Sequence, residues 1–357
     1  MTQFVVDLLG TPVELDVPPL LDGPLTDALT DLGRSDAPVR TLTLEPDRAG
    51  HFTLLDGTER VLESVPVDVA VATVVWRLNA IAAASPDHLV VHAGCVADDR
   101  GGIILPGRSG SGKSWLTAAF VEHGFDYLSD EHALVELSSG RLVPLAKPLD
   151  LGVRGLVPAS RLRPGSVGDP GPPAAIVFPR RDGASPTIVS SLDPATSLLA
   201  LCGQCPSLEA MGATGFRWLA GLASACPAWQ ITYSEAVEAV EALGATFRDV
   251  PRGTALEVVR PVPVDHVVTD ATTTVVIDDD VVVFDARTTR VHHLNRSAGF
   301  VWLCVERTPD LCELARTVQA EAPAGAIEPA DVYLTIEHLG AIGLLDDEIP
   351  PDPEGPV

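Results

Sequence analysis

Lysine is nearly missing from this sequence: of 24 basic residues only Lys113 and Lys147 are lysines, and the rest are arginine. Basic charge as a whole is scarce beside 49 acidic residues, leaving a formal net charge of −25. A phosphate backbone demands a basic face, so nucleic acid is excluded as a partner. No uninterrupted apolar run reaches the roughly 18 residues of a membrane-spanning helix, so no membrane association is expected. The start, "MTQFVVDLLGTPVELD", lacks a basic stretch and an apolar core before a cleavage site. It does not read as a signal peptide, and a cytoplasmic location is expected. The six cysteines are scattered, and Cys202 and Cys205 form one CxxC without the two further ligands a structural zinc site needs. Reduced, mostly buried thiols are the expectation.

What is present suits a well-buried core: 46 % of the 357 residues are hydrophobic. That length allows one large domain and a smaller one. Residues 1–86 mix short alternating segments such as "TLTLEPDRAGHFTLLDG" with an apolar helical run, "VDVAVATVVWRLNAIAAA". "HLVVHAGCVADD" and "GGIILPG" read as consecutive buried strands, followed by a helix from Gly112 to about residue 123. "FDYLSDEHALVEL" reads as strand, acidic corner and strand. Residues 160–173, rich in Gly and Pro, read as a mobile loop before the strand "AAIVFP". Helices are predicted at 194–202, 214–225 and 234–243, with the strand "AWQITY" between the last two. From Thr272 onward three short strands precede three helices, and an acidic, proline-rich tail closes the chain.

"LPGRSGSGKSW", residues 105–115, matches GxxxxGK[ST] at Gly107, Gly112, Lys113 and Ser114, between a buried strand and a helix. The backbone of Gly107, Arg108, Ser109, Gly110, Ser111 and Gly112 is suited to curl so that successive N–H groups grip phosphate oxygens. The helix N-terminus faces the same anion. Lys113 then reaches the β- and γ-phosphates of ATP as a compact charge, where a planar guanidinium fits poorly, and Ser114 offers a hydroxyl to Mg2+. Asp130 and Glu131 end the strand after the P-loop helix, and ligands of open α/β sheets gather at the carboxyl ends of strands. One carboxylate is expected to hold Mg2+, with Asp130 joining Ser114 on the metal side. The other orients or deprotonates an attacking hydroxyl. A capping turn between two strands stays open as the plainer reading. His92 lies one strand earlier and is either part of this edge or a structural hydrogen-bond partner. Lys147, Arg154, Arg180 and Arg181 are candidates for stabilising transition-state charge, with Arg180, at the strand end "VFPRR", set in the catalytic group. A solvated basic turn is the alternative there.

The stretch "HAGCVADDRGGIILPGRSGSGKSWLTAAFVEHGFDYLSDEHALVEL" resembles the catalytic core of the HPr kinase/phosphorylase family. The likeness continues more loosely through "AKPLDLG", "AAIVFPRRDG" and "TGFRWLAGLASACPAWQITYSEAVEAV", covering about residues 85–245. It implies an ATP-dependent protein serine kinase. His92 matches the histidine that assists the catalytic acid, and Asp130 and Glu131 match an Asp-Asp pair acting as base and in metal binding. Trp115 and Glu131 depart from the acidic residue and the second aspartate of that family, and its long acidic signature is not recognisable. The resemblance therefore implies a relative with another substrate, not a bifunctional HPr kinase.

The C-terminal strands and helices suggest a winged-helix shape, yet residues 263–357 carry five arginines, no lysine and 18 acidic residues. DNA binding is excluded on charge, and a free sheet edge offers peptide binding instead. "RVHHLNRSAGFVWL" and "IEHLGAIGLL" resemble the PqqD-like fold, which holds leader peptides of ribosomally made natural products. Asp285, Leu294, Asn295, Trp302, Gly343, Leu344 and Leu345 match its pattern across residues 272–346. The resemblance implies a leader lying along Arg290–Leu294 against residues 331–339. Leu294, Trp302, Leu339, Leu344 and Leu345 are expected in the core, and Arg290, Val291, His293, Tyr333 and Glu337 as outward contacts.

Together these readings predict an α/β P-loop kinase core with a mixed sheet, plus a small α+β winged-helix, PqqD-like domain. Residues 1–255 form the kinase-like part, with an N-terminal α/β portion at 1–86 and the catalytic core at 87–255. A linker at 256–271, the peptide-recognition domain at 272–346 and a disordered acidic tail at 347–357 follow. The expected activity is ATP- and Mg2+-dependent phosphorylation of a Ser or Thr hydroxyl on a precursor peptide. A catalytically inactive, nucleotide-binding peptide chaperone and a regulatory protein serine kinase are the alternatives, and a homo-oligomer stays open.

Overall fold

Within the first 66 residues, segments in which buried and exposed side chains alternate read as strands, because successive side chains of a strand point to opposite faces. In the computed structural model, which describes residues 1–48, 50–169, 171–257, 271–305, 311–321 and 329–345, they form five of them. These are β1 (Thr2–Leu8), β2 (Thr11–Val17), β3 (Arg40–Arg48), β4 (His51–Asp56) and β5 (Glu59–Pro66), paired in that order. Helices α1 (Pro19–Ala28) and α2 (Ala70–Ala83) contribute to the same core, which includes Val6, Leu15, Leu25, Leu42, Leu54, Val74 and Leu78.

The buried run that follows builds an eight-stranded sheet. Its strands are β6 (His88–Asp98), β7 (Gly101–Pro106), β8 (Asp126–Ser129), β9 (His132–Glu136) and β10 (Arg141–Val143), and further along the chain β13 (Pro173–Arg181), β14 (Ile188–Leu192) and β15 (Ala228–Tyr233). The order is β10-β9-β6-β7-β13-β15-β14, with β8 paired to β6. The pairings β7–β13 and β13–β15 are parallel and the others antiparallel, so the sheet is mixed. Helix α3 (Lys113–Glu122) follows β7 and contacts α7 (Ala236–Thr246). Between β10 and β13 lie the short pair β11 (Leu149–Asp150) and β12 (Leu156–Val157), then α4 (Ala159–Leu162).

The long β6 changes partners midway. Its first half pairs with β9, His92 opposite His132, and its second half with β8, Cys95 opposite Ser129. The corner Asp130–Glu131 therefore lies beside Ala93 and Gly94. Gly94 has a steric reason: a Cβ there would sit 2.4 Å from Thr117 Oγ1 of α3, which packs directly on β6.

Residues 160–169 and 171–173 correct the expectation of a mobile loop. Arg163 donates to Phe125 O and Asp126 Oδ1, Tyr127 N–H to Ser166 O, and Leu142 and Gly171 exchange backbone hydrogen bonds. Turn-forming residues here shape a pinned segment whose backbone groups are satisfied by neighbours.

The chain divides into two compact units, and the division is not one cut near residue 255. One unit holds residues 1–192, 204–207 and 225–256. The other holds residues 193–203, 208–224 and those from 257 on, so α5 (Pro194–Cys202) and most of α6 (Leu208–Ala225) fall outside the unit of the P-loop. Helix α6 starts earlier than expected and is broken at Gly212. The second unit continues with β16 (Thr272–Ile277), β17 (Asp280–Asp285) and β18 (Arg290–Leu294), an antiparallel sheet in that order, then α8 (Arg296–Val305), α9 (Leu311–Glu321) and α10 (Pro329–Ala341). Val281 and Val283 pack with Trp302, Val318 and Ile336 of these helices. Val282 and Phe284 point to the opposite face and are buried too, with Phe284 stacked on Phe216 of α6 at 5.3 Å. Both sheet faces are thus covered, which is why α5 and α6 belong here. The expected core residues Leu294, Trp302, Leu339, Leu344 and Leu345 are all buried. The linker expected at 256–271 (save 256, 257 and 271) and the tail expected at 347–357 lie outside the described residues. Among the described residues no helix is long and apolar enough to cross a membrane.

The charged anchor of the first sheet gives a prediction. Asp56 accepts from Arg40 Nε at 2.7 Å and from Arg77 Nε at 2.8 Å. Burial opposes its charge, but these hydrogen bonds outweigh burial and hold the carboxyl below its ordinary value of 3.8. A depressed folded pKa contributes stability above that value and loses it as pH falls through the folded pKa. Asp56→Asn should cost about 2 kcal/mol at pH 7, and the gap to wild type should shrink below about pH 4. Urea unfolding at both pH values checks this.

Candidate functional site

The loop between β7 and α3 turns on two glycines in left-handed geometry, Gly110 at φ 82° and Gly112 at φ 98°. Gly112 has a second reason: a Cβ there would lie 2.3 Å from the Tyr233 hydroxyl and 3.0 Å from Cβ of Arg181. Tyr233 donates to Gly112 O at 3.0 Å, and Arg181 N–H donates to Ser111 O at 3.0 Å, so the ends of β15 and β13 brace the loop. Lys113, 7 % exposed, folds back to donate to Gly107 O at 2.7 Å and Arg108 O at 3.1 Å. Burial lowers its pKa, against the opposing pull of Glu131 and Asp130. Among the described residues Ser111 Oγ is buried with no hydrogen-bond partner. An orphaned hydroxyl inside a ring of positive-φ glycines and a buried ammonium is what a phosphate would satisfy. The loop residues therefore fit a phosphate group.

The acidic corner meets this loop through backbone bonds. Gly107 N–H donates to His92 O at 3.3 Å, and Ala93 N–H to Glu131 O at 3.0 Å. His92 Nε2 lies 3.2 Å from Glu131 Oε1. The hydrogen bond from His92, with the charge of Lys147, holds the Glu131 carboxyl down to about 2 against its desolvation. His132, by contrast, is pushed down to about 4 by burial. The histidine thus partners Glu131. Asp130 is 0 % exposed and ion-paired with Lys147. Among the described residues no group of three or more His, Cys, Asp or Glu gathers as a metal site. Mg2+ bound with a nucleotide needs only one or two protein ligands beside phosphate oxygens and water, and Ser114 with a corner carboxylate fits that donor set.

Of the four cations considered, Arg181 and Lys147 are drawn in. Arg180 pairs with Thr232 on the strand, one residue before Arg181, so its side chain points to the opposite face from that of Arg181. Trp115 is flanked by Arg154 at 5.1 Å and Arg181 at 5.8 Å from its ring centroid. Tyr233 had no sequence signal at all. Lys147 had one, its rarity.

In the other unit a groove of about 350 Å3 opens between the start of α8 and α10. Leu294, Asn295, Asp331, Leu334, His338 and Ile342 are among its lining. The spacing of the last four, three or four residues and multiples, is one helix face. Leu334 is 52 % and Ile342 46 % exposed. None of the five expected contacts lines the groove. Val291 and His293 oppose Phe284 and Val282 and share their sheet face. His293 Nε2 instead lies 2.9 Å from Asp280 Oδ1. Tyr333 and Glu337 are exposed on the neighbouring stripe of α10, and Arg290 is exposed at the strand's start. Asp285 acts locally, accepting from Arg287 N–H at 3.0 Å and Thr288 Oγ1 at 2.9 Å to close the turn into β18.

Two solved structures resemble parts of the chain. The HPr(Ser) kinase/phosphatase from Coxiella burnetii shares 13 % identity, covering 44 % of this chain and 95 % of that one, with a TM-score of 0.29. TbiB1 in complex with the TbiA(beta) leader peptide shares 21 % identity, covering 23 % of this chain and 96 % of that one, with a TM-score of 0.20. No protein-family model matches the sequence, and no curated protein does.

Gly112→Ala meets both the left-handed backbone and the Tyr233 hydroxyl. It should weaken binding of a phosphate ligand at the loop by at least about tenfold and lower the melting temperature, since a non-glycine residue in that region costs about 1–2 kcal/mol. Calorimetry and thermal unfolding measure the two effects.

Proposed function

We propose that the chain is an ATP- and Mg2+-dependent kinase acting on a Ser or Thr hydroxyl of a precursor peptide held by its C-terminal unit. One observation carries this reading: the P-loop and the His92–Glu131 pair are joined through backbone bonds at one sheet edge. The loop N–H groups and Lys113 would hold the β- and γ-phosphates, and Ser114 with a corner carboxylate would hold the metal. Mg2+, when bound, neutralises charge on the phosphates.

His92 suits the role of proton acceptor better than either carboxylate. The Glu131 carboxyl, held down to about 2, is a weak base, and Asp130 has both oxygens engaged by protein groups. Glu131 accepts a hydrogen bond from His92 Nε2–H, leaving the Nδ1 lone pair of His92 to take the proton of the acceptor hydroxyl. As that oxygen bonds the terminal phosphorus and the bridging P–O bond breaks, Glu131 stabilises the imidazolium. Lys113 and the loop N–H groups keep hold of the departing diphosphate. A winged-helix, PqqD-like reading of residues 272–346 draws support from the three-stranded sheet, the helices α8 to α10 that follow it and the apolar groove. Docking a leader there raises the acceptor's local concentration to roughly millimolar, so the catalytic site can bind it weakly.

Incubation with ATP, Mg2+ and a Ser- or Thr-containing precursor peptide that the C-terminal unit binds should add one phosphate, read by mass spectrometry. A bound but unmodified peptide would refute transfer. It would favour the second reading, a nucleotide-binding peptide chaperone, to which the enclosure of Asp130 lends support. Leu334→Glu should weaken peptide binding by about tenfold or more while leaving ATP affinity unchanged, measured by fluorescence anisotropy and calorimetry.

A further inference from the structure

Only one of the two lysines belongs to the P-loop, yet both are buried. Lys147 is 3 % exposed and Asp130 not at all. The ammonium is ion-paired with Oδ1 of Asp130 and donates to Pro148 O at 3.2 Å. The Lys147 carbonyl accepts the Tyr127 hydroxyl at 2.8 Å, and that phenol oxygen lies 3.3 Å from the same Oδ1. Oδ2 of Asp130 accepts from Asp150 N–H at 3.4 Å. Both carboxylate oxygens are therefore engaged by protein groups. A carboxylate so enclosed offers little to an incoming cation or to a substrate proton, and breaking its ion pair would leave an uncompensated buried charge.

The pair is joined to the loop through the backbone: Glu131 O, one residue from Asp130, accepts from Ala93 N–H at 3.0 Å, and His92 O accepts from Gly107 N–H at 3.3 Å. The positive charge of Lys147 adds to burial in lowering Lys113, and it helps hold Glu131 ionised. Glu131 is the more open of the two corner carboxylates, its side chain 41 % exposed. On the nucleotide reading given above, we infer that Asp130 is a positioning residue that anchors Lys147. Lys147 is then a second fixed cation of the phosphate site, and Ser114 and Glu131 are left to the metal. The compact ammonium suits this place for the reason it suits the P-loop: it bonds several inward-facing oxygens in little space.

Calorimetric titration of the full chain with ATP, with and without Mg2+, separates these roles without depending on turnover. In Asp130→Asn the released ammonium should keep metal-free ATP affinity within about twofold of wild type or raise it, and Mg2+ should still tighten binding. In the double variant Asp130→Asn/Lys147→Met no lone buried charge remains to unfold the chain. Its metal-free affinity should fall about tenfold, with the Mg2+ effect again retained. Should Asp130→Asn fail to fold, the double variant alone decides. Loss of the Mg2+ effect in either variant makes Asp130 a metal ligand and overturns the inference. So does a double variant that binds metal-free ATP as tightly as wild type. A wild-type chain that binds no ATP in either condition refutes the nucleotide reading itself.

Discussion

Burying an ammonium costs several kcal/mol unless oxygen atoms replace the water it leaves, and this chain buries both of its lysines. Lys113 is met by two carbonyls of its own loop, Lys147 by Asp130 and the Pro148 carbonyl. Much of the surrounding architecture follows from supplying those oxygens. The loop must curl tightly enough to turn its carbonyls onto Lys113, which demands positive φ at Gly110 and Gly112. Asp130 must sit where no water reaches it, which the partner change of β6 achieves by folding the corner over Ala93 and Gly94.

The same arrangement divides labour between two adjacent carboxylates. Asp130 and Glu131 differ by one position, yet one turns inward to a lysine and the other outward to a histidine. Low dielectric fixes the inner pair, while the outer one keeps contact with solvent and retains freedom to act on a ligand. Two acids with separate environments are a common basis for separate chemical roles.

The second unit obeys a packing constraint of a different kind. A three-stranded sheet with Val281 and Val283 on one face and Val282 and Phe284 on the other has two apolar faces to bury. Helices α8 to α10 cover one, and α5 and α6, more than 45 residues earlier in the chain, belong to the same unit. The short strands and the tight turns between them were legible along residues 272–294. Nothing local announced that the covering helices lie upstream, because hydrophobic burial selects a face and not a sequence separation.

The amino-acid order alone was enough to locate the phosphate loop, the acidic corner, the helices and strands around them, and the change of character near Thr272. Each depends on residues close in sequence: glycine spacing, period-two alternation, a run of apolar side chains. Tertiary structure decided which carboxylate His92 pairs with, that Asp130 is sealed by Lys147, that Tyr233 and Arg181 brace the loop, and which stripe of α10 lines the groove. Those outcomes depend on strand register and helix rotation, where a shift of one residue exchanges an inward side chain for an outward one.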